Sequence, residues 1–273
     1  MTDAPEQDTV LIEIGDRIAV LTLNRPAARN ALSSVLLRRL REAMVTVDAS
    51  DEVDAIILTG TDPAFSAGLD LKELGSTGGN LGAGVDDTPT VPTRENTVPT
   101  KPWTPTSKPV IGAINGVAVT GGFELALQCD FLVASDRASF GDTHTRVGIL
   151  PGWGLSVLLP QAIGYRRALE MSMTGNFMAA DEALRFGLVN HVVAHTELMA
   201  TARRLAADIA GNNGPAIREL LASYRAIHRL SIGDGEVHEA VVSRDWSRRT
   251  FEPGAVEGRR AAIMERGRAQ RAQ

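Results

Sequence analysis

The sequence predicts an α/β fold in which strands and helices alternate, followed by a region that contains helices alone. Short apolar runs rich in β-branched residues occur in the first part of the chain, and turns and amphipathic segments separate them. Helical periodicity alone continues from Glu197, over 197–210, 215–229, 236–249 and 255–268. We therefore expect a core over residues 1–195 and a helical C-terminal region over residues 196–273.

The start of the chain is interpreted as β-β-α-β. The run RIAVLTL, 17–23, is typical of a strand, and the following NRPAARNAL makes a turn. Ser33 or Ser34 then caps an amphipathic helix, and the apolar run 53–59 predicts the next strand. The positions expected on the buried face of the helix are Val35, Leu36, Leu40, Ala43, Met44 and Val47.

The central stretch Pro109–Pro151 contains the first chemically informative turn. The apolar run Val110–Val119 ends in Thr120-Gly121-Gly122, and a helical segment, 123–128, follows at once. Backbone N–H groups at such a strand-to-helix turn lie at the positive end of the helix and favour an oxygen that carries negative charge. Glu124 falls in the first helical turn, where a carboxylate can transfer protons beside an activated carbonyl.

A second glycine turn follows the predicted strand 53–59. Within Gly60–Leu71, Ala67-Gly68 again places small residues where a backbone N–H can face a ligand. Two N–H donors on separate loops are the arrangement that a thioester or peptide oxyanion needs.

The two turns carry a resemblance to a known family. FSAGLDL, 65–71, together with NGVAVTGGFELALQCD, 115–130, resembles the crotonase (enoyl-CoA hydratase/isomerase) family, and the similarity extends over roughly Val10 to Val193. The resemblance implies a spiral of repeated ββα units, with a helical C-terminal region that packs over the core and helps to build homotrimers, which pair into hexamers.

The resemblance also implies the chemistry. In this family two backbone N–H groups polarise the carbonyl of an acyl-CoA thioester, and by motif match these belong to Ala67 and Gly121. A hydratase of the family uses two glutamates to hold and activate a water molecule. Glu124 matches the first, but His144 stands at the position of the second, twenty residues on. An imidazole accepts one hydrogen bond and delivers a proton, but it does not duplicate a carboxylate.

Several roles stay open near this position. Asp142 is a candidate to replace the missing carboxylate, and His144 is alternatively a structural histidine in a degenerate site. Ser66 with His144 and an aspartate is a weak candidate for a hydrolytic triad, because no G-x-S-x-G turn surrounds it. Asp70 is expected to stabilise its loop rather than to catalyse.

The family resemblance implies substrate contacts in the two turns and at one arginine. Arg29, after the first predicted strand, matches a position that is often basic near the nucleotide, although a solvated surface arginine is an alternative. The tail EGRRAAIMERGR, 257–268, lacks the aromatic residue that the family often shows there, so no contact to CoA is assigned to the tail. The expected substrate-binding residues are Ala67, Gly68, Leu69, Asp70, Arg29 and Gly122.

The least regular stretch is 75–107, which contains glycine clusters and many prolines. It has no periodicity and predicts a long loop, which in the family covers the acyl pocket. Trp103 is expected to anchor this loop rather than to contact the substrate.

Composition excludes several classes of function. With 44% hydrophobic and 22% charged residues and a net charge of −5, the chain is typical of a soluble globular protein and carries no nucleic-acid footprint. A single cysteine, Cys129, is expected to pack in the core, and no metal motif, signal peptide or membrane span is predicted. We expect a cytoplasmic protein without metal or separate cofactor, because CoA is part of the substrate.

The leading hypothesis is an enoyl-CoA hydratase that uses Glu124 and His144 as an atypical acid/base pair. Alternatives are double-bond isomerisation, thioester hydrolysis, or binding of acyl-CoA without catalysis. The acyl group itself is not specified by the sequence.

Overall fold

The computed structural model describes residues 8–77, 100–250 and 252–271. In chain order the ten strands of the described residues are β1 Val10–Gly15, β2 Ile18–Leu23, β3 Ala55–Gly60, β4 Ala64–Ser66, β5 Val110–Ile114, β6 Val117–Val119, β7 Phe131–Ser135, β8 Ser139–Gly141, β9 Phe177–Ala179 and β10 His191–Val193.

Eleven α-helices occur in the same described residues. They are α1 Ser34–Ala49, α2 Leu71–Thr77, α3 Gly121–Leu127, α4 His144–Val147, α5 Leu155–Ile163, α6 Tyr165–Thr174, α7 Ala180–Phe186, α8 Leu198–Ala210, α9 Gly214–Ile227, α10 Ile232–Thr250 and α11 Pro253–Arg271.

The strands form two sheets that the chain visits in turn. The larger sheet has the order β1-β2-β3-β5-β7-β10, in which only β1 pairs antiparallel, and the smaller has the order β4-β6-β8-β9. Each of β3, β5 and β7 lies in the larger sheet and is followed directly by β4, β6 or β8 in the smaller one. A helix follows each of these strand pairs, so the chain forms successive ββα units. The predicted α/β spiral is confirmed.

Burial on both faces explains why the central strands read as unbroken apolar runs. All six residues of β3, AIILTG, are buried, as expected for a parallel strand that is covered on both sides. One face meets α8 through Leu198, Ala202 and Ala206, and the other face meets the core that includes α1 and α3.

The first helix follows its sequence signals closely. The Ser33 hydroxyl accepts a hydrogen bond from the N–H of Leu36 at 3.2 Å, which caps α1. The predicted buried positions are buried except Val35, which is half-buried, while Leu37 takes a core position instead. The β-β-α-β start is confirmed, with β1 added before the predicted strand.

The predicted run Val110–Val119 is two strands rather than one. Asn115 and Gly116 interrupt it, and the position of a Cβ on Gly116 lies 2.4 Å from the Pro63 carbonyl oxygen, so a glycine is needed where the chain crosses between the sheets. The three-residue strands β4, β8 and β9 were not predicted, because such short segments show no periodicity.

The chain divides into two compact units at Arg218. The predicted boundary at residue 195 therefore falls inside the first unit, because α8 buries its apolar face against the larger sheet. Within the second unit, residues 219–273, Arg249 pairs with Asp245 of its own helix and with Glu219.

Two further predictions concern the loop and the membrane. Most of the predicted loop 75–107 falls on residues 78–99, outside the described residues, but Trp103 is 5% exposed and belongs to the main core, as expected of an anchor. Cys129 packs against the same core. Among the described residues, no helix combines the length and apolar character that a membrane span requires.

Candidate active site

Glu124 is held in the first turn of α3 with one carboxylate oxygen already engaged. The residue is 3% exposed. Its Oε1 accepts hydrogen bonds from the backbone N–H groups of Trp153, at 2.7 Å, and of Leu155, at 3.4 Å. These donors lie at the start of α5, where the helix end favours a negative charge. The second oxygen, Oε2, is thereby turned toward His144.

His144 lies between two carboxylates at the start of α4. Its ring Nε2 lies 3.4 Å from Glu124 Oε2, and its Nδ1 lies 2.6 Å from Asp142 Oδ1. The backbone N–H of His144 donates to the same Asp142 oxygen at 3.2 Å, and Ser172 also hydrogen-bonds to Asp142. Glu124, His144 and Asp142 thus form a row of three contacting side chains. All three are almost fully buried, with 2% to 4% of each exposed.

The charges of the row follow from these contacts. Burial lowers the pKa of His144, but the hydrogen bonds and charges of Asp142 and Glu124 outweigh it and raise the pKa to about 9. Burial raises the pKa of Asp142, but hydrogen bonds from His144 and Ser172 outweigh it, so the net shift is downward. At neutral pH the His144 ring is therefore positively charged where it lies between Asp142 and Glu124.

The glycine turn after β4 lies against the glycine turn at the start of α3. Gly68 has a φ of +82°, and a Cβ on it would lie 2.7 Å from the Val119 carbonyl oxygen. A Cβ on Gly122 would lie 2.5 Å from the Ser66 carbonyl oxygen. The predicted substrate-binding glycines, Gly68 and Gly122, thus allow the two loops to approach closely.

The structure contradicts Ala67 as a hydrogen-bond donor to the substrate. Its N–H donates to the Arg29 carbonyl oxygen at 2.9 Å and is therefore used within the fold. The next candidate is Leu69. Leu32 donates to the Gly68 carbonyl oxygen and accepts from the N–H of Asp70, so this parallel bridge turns the Leu69 N–H away from Leu32.

Gly121, the other predicted donor, is the first residue of α3. First-turn N–H groups have no partner inside their own helix. No acceptor for the N–H of Leu69 or of Gly121 is found in the described part of the chain. A Cβ on Gly121 would lie 3.5 Å from a methyl carbon of Leu69 and 3.5 Å from the Trp153 ring, so the two turns meet beside the residue whose N–H binds Glu124.

Similarity to known proteins shows the family of this chain. The profile described as "Enoyl-CoA hydratase/isomerase" matches residues 13–234. The chain belongs to this family.

Individual relatives cover most of the chain. A protein described as "Probable enoyl-CoA hydratase" from Rhizobium meliloti (strain 1021) is 37% identical over 84% of this chain and 85% of its own length. "Probable enoyl-CoA hydratase 1, peroxisomal" from Arabidopsis thaliana is 42% identical over 79% of this chain and 78% of its own length. The crystal structure of enoyl-CoA hydratase from Mycobacterium tuberculosis H37Rv is 48% identical, with a TM-score of 0.73, over 87% of this chain and 98% of that one.

Asp70 forms hydrogen bonds that stabilise its own loop, which is the role expected from the sequence. Its Oδ2 pairs with the buried guanidinium of Arg25 at 2.9 Å, and its Oδ1 accepts from the N–H groups of Lys72 and Glu73 at the start of α2. These hydrogen bonds, with the Arg25 charge, outweigh burial and lower the pKa of Asp70. Asp70 therefore fixes the loop on the C-terminal side of Leu69.

The alternative hydrolytic triad is not formed. The Ser66 hydroxyl donates to the Asn30 carbonyl oxygen at 2.8 Å, and it accepts from the N–H of Gly68. The two ring nitrogens of His144 face Asp142 and Glu124 instead. Asp142 likewise does not face Glu124 in place of the missing glutamate, because its carboxylate is bound to the far side of the imidazole.

Arg29 remains a prediction. The residue is exposed and has a left-handed backbone conformation with a φ of 49°, and its carbonyl oxygen holds the N–H of Ala67. In the described residues no group of three or more His, Cys, Asp or Glu side chains is arranged to hold a metal ion.

Two features of the site were not predicted from the sequence. The amides of Trp153 and Leu155 bind Glu124, and the available signal was Gly154, which sets up the start of α5 with a φ of +102°. Asp142 was a candidate, but its contact with Nδ1 of His144 was not predicted, because sequence spacing does not encode the direction of a side chain at a strand-to-helix junction.

Proposed function

We propose that this protein is an enoyl-CoA hydratase in which Glu124 is the general base and protonated His144 is the general acid. The observation that carries the proposal is the buried pair of Glu124 Oε2 and His144 Nε2, 3.4 Å apart, beside two glycine turns that can bind a thioester oxygen. A carboxylate beside an imidazolium supplies both proton transfers that hydration requires.

The proposed reaction begins with binding of the thioester carbonyl oxygen by the N–H groups of Leu69 and Gly121. These donors stabilise the negative charge that develops on the oxygen, which is typically worth about 3 kcal/mol per donor. Glu124 takes a proton from water while the water oxygen bonds to C3 of the enoyl group. The electron pair of the double bond moves toward C2 and the carbonyl, giving an enolate.

His144 then delivers its Nε2 proton to C2 as the carbonyl re-forms. The product carries the hydroxyl at C3 and the new hydrogen at C2, which balances the addition of one water molecule. Glu124 is left protonated and His144 neutral, and a proton transfer across the 3.4 Å between Oε2 and Nε2 restores both groups. The cycle needs no metal and no separate cofactor, because CoA arrives as part of the substrate.

The charge of His144 decides its role in this proposal. An imidazolium has no lone pair with which to accept a hydrogen bond from water, so it does not act as a second base. With its pKa raised to about 9, it is protonated at neutral pH and is available as a donor. Glu124 alone therefore orients the attacking water.

The test is loss of the ultraviolet absorbance of the conjugated enoyl group when the purified protein is mixed with crotonyl-CoA. We expect turnover by the wild type and a loss of about 10²-fold or more in kcat for Glu124→Gln and for His144→Gln. Arg185→Gln, a change on the exposed face of α7, serves as the control with unchanged turnover.

Parallel assays with other substrates and readouts separate the alternatives. Conversion of a 3-enoyl-CoA to the conjugated isomer indicates double-bond isomerisation, and release of free CoA indicates thioester hydrolysis. Tight binding of acyl-CoA without turnover across short, long and branched enoyl-CoA substrates indicates a protein that only binds. Any of these results without hydration refutes the proposal.

Assembly as a homotrimer, or as two trimers paired into a hexamer, is the part of the proposal that rests on family resemblance alone. Light scattering on the full-length protein measures it directly. A mass of about three or six chains supports it, and a monomer at all concentrations refutes it.

A further inference from the structure

Asp142 contacts the reacting groups only through His144. Its Oδ1 accepts from both the ring Nδ1, at 2.6 Å, and the backbone N–H, at 3.2 Å, of that one residue. Asp142 is itself 1% exposed and is held further by a hydrogen bond with Ser172 of α6. A buried carboxylate held this firmly restricts the residue that it binds.

The two contacts leave the imidazole one orientation. Because Nδ1 is bound to Asp142, a rotation of the ring by a half-turn would remove this bond and place a carbon beside a buried carboxylate, which is costly. Nε2 therefore stays directed at Glu124 Oε2. Asp142 and Glu124 are the two ionisable side chains that contact the ring among the described residues, and together they outweigh the effect of burial on its charge.

We propose that Asp142 is a positioning residue that orients the His144 ring and keeps it positively charged, so that Nε2–H is the proton donor for C2 of the substrate. The inference rests on the proposed hydratase function and extends it to a residue behind the acid/base pair. It explains how a histidine can act as the proton donor at the position where the family resemblance implies a second glutamate. The negative charge that such a glutamate would supply is provided by Asp142, on the opposite side of the ring.

The decisive variant is Asp142→Asn, which keeps the size and one acceptor oxygen but removes the charge. We expect the titration of His144 to move to lower pH by at least about one unit, because one of its two carboxylates is gone. The alkaline fall of kcat moves by the same amount, so a one-unit shift decreases kcat at about pH 10 by about tenfold, and KM changes less than about threefold.

A second variant separates charge from position. Asp142→Glu keeps the charge but displaces the carboxylate by one methylene group. We expect His144 to titrate as in the wild type while kcat falls about tenfold. Wild-type kcat in this variant contradicts the positioning role.

The protein contains a matched control outside the site. Asp62 Oδ2 lies 2.9 Å from His195 Nε2, a second aspartate–histidine pair that is partly exposed. Asp62→Asn should leave both the titration of His144 and the pH dependence of kcat unchanged. A common shift in the two aspartate variants would indicate a general effect of charge and refute the inference.

The titration is measured by NMR on the full-length protein with labelled histidines, and the His144 signal is identified by its absence in His144→Gln. This readout does not depend on turnover, so it separates the two proposals. A wild type that does not hydrate crotonyl-CoA refutes the proposed function, whereas the titration still decides the role of Asp142. An unchanged His144 titration in Asp142→Asn overturns the inference.

Discussion

Stability should fall with rising pH because of His144. Its pKa is raised from 6.5 to about 9 in the folded protein, so the folded state binds the proton more tightly than the unfolded state. The resulting stabilisation is fully present below the unfolded pKa and is lost as the pH rises through the folded one. A difference of about 2.5 pH units corresponds to about 3 kcal/mol of unfolding free energy, lost between about pH 6 and pH 9.5.

The assay is urea unfolding of the wild type and of His144→Gln at both pH values and at one protein concentration. Other groups that titrate in this range, such as lysines, contribute equally to both proteins and cancel in the difference. We expect the wild type to lose about 3 kcal/mol more than the variant. The control His195→Gln, at the partly exposed aspartate–histidine pair, should keep the wild-type pH dependence. Equal losses of unfolding free energy in the wild type and in His144→Gln would refute the positive charge assigned to His144.

Three further changes test other parts of the account. Gly68→Ala forces a Cβ to within 2.7 Å of a backbone oxygen at a φ of +82°, and should cost about 2 kcal/mol or more of stability and lower kcat, measured by thermal unfolding and turnover. Arg25→Met leaves Asp70 without its guanidinium partner and should cost about 2–3 kcal/mol by urea unfolding, whereas Arg25→Lys should cost less. His144→Glu places a third carboxylate in the buried row and should give little turnover alone. Combining it with Asp142→Asn should recover turnover, and a single variant more active than the wild type would contradict the charge argument.

Much of the fold is encoded locally and was predictable. The cap at Ser33 and the periodicity of α1 are local signals, and so is the apolar run of β3, which is buried on both faces. The strand break at Gly116 was not predictable, because it depends on contact with the Pro63 carbonyl from a distant loop. The boundary between the two units was misplaced since the apolar face of α8 does not reveal which surface it covers.

The residue types of the site were predictable from the sequence, but the hydrogen-bond partners within it were not. The glycine turn at Gly121 and the carboxylate at Glu124 were found from their place at a strand-to-helix junction. The donor in the other turn was assigned to Ala67, whereas the pairing of Leu32 with that turn leaves Leu69 available instead. This pairing joins segments far apart in the chain, so motif spacing did not show it.

The most direct test of the account is the product formed from crotonyl-CoA in D₂O, analysed by mass spectrometry and proton NMR. The account predicts 3-hydroxybutyryl-CoA with one deuterium at C2, because His144 exchanges its proton with solvent and delivers it there. The product should not form with Glu124→Gln. Recovery of unreacted thioester, a shifted double bond or free CoA in place of the hydroxylated product would contradict the central claim that Glu124 and His144 hydrate an enoyl-CoA.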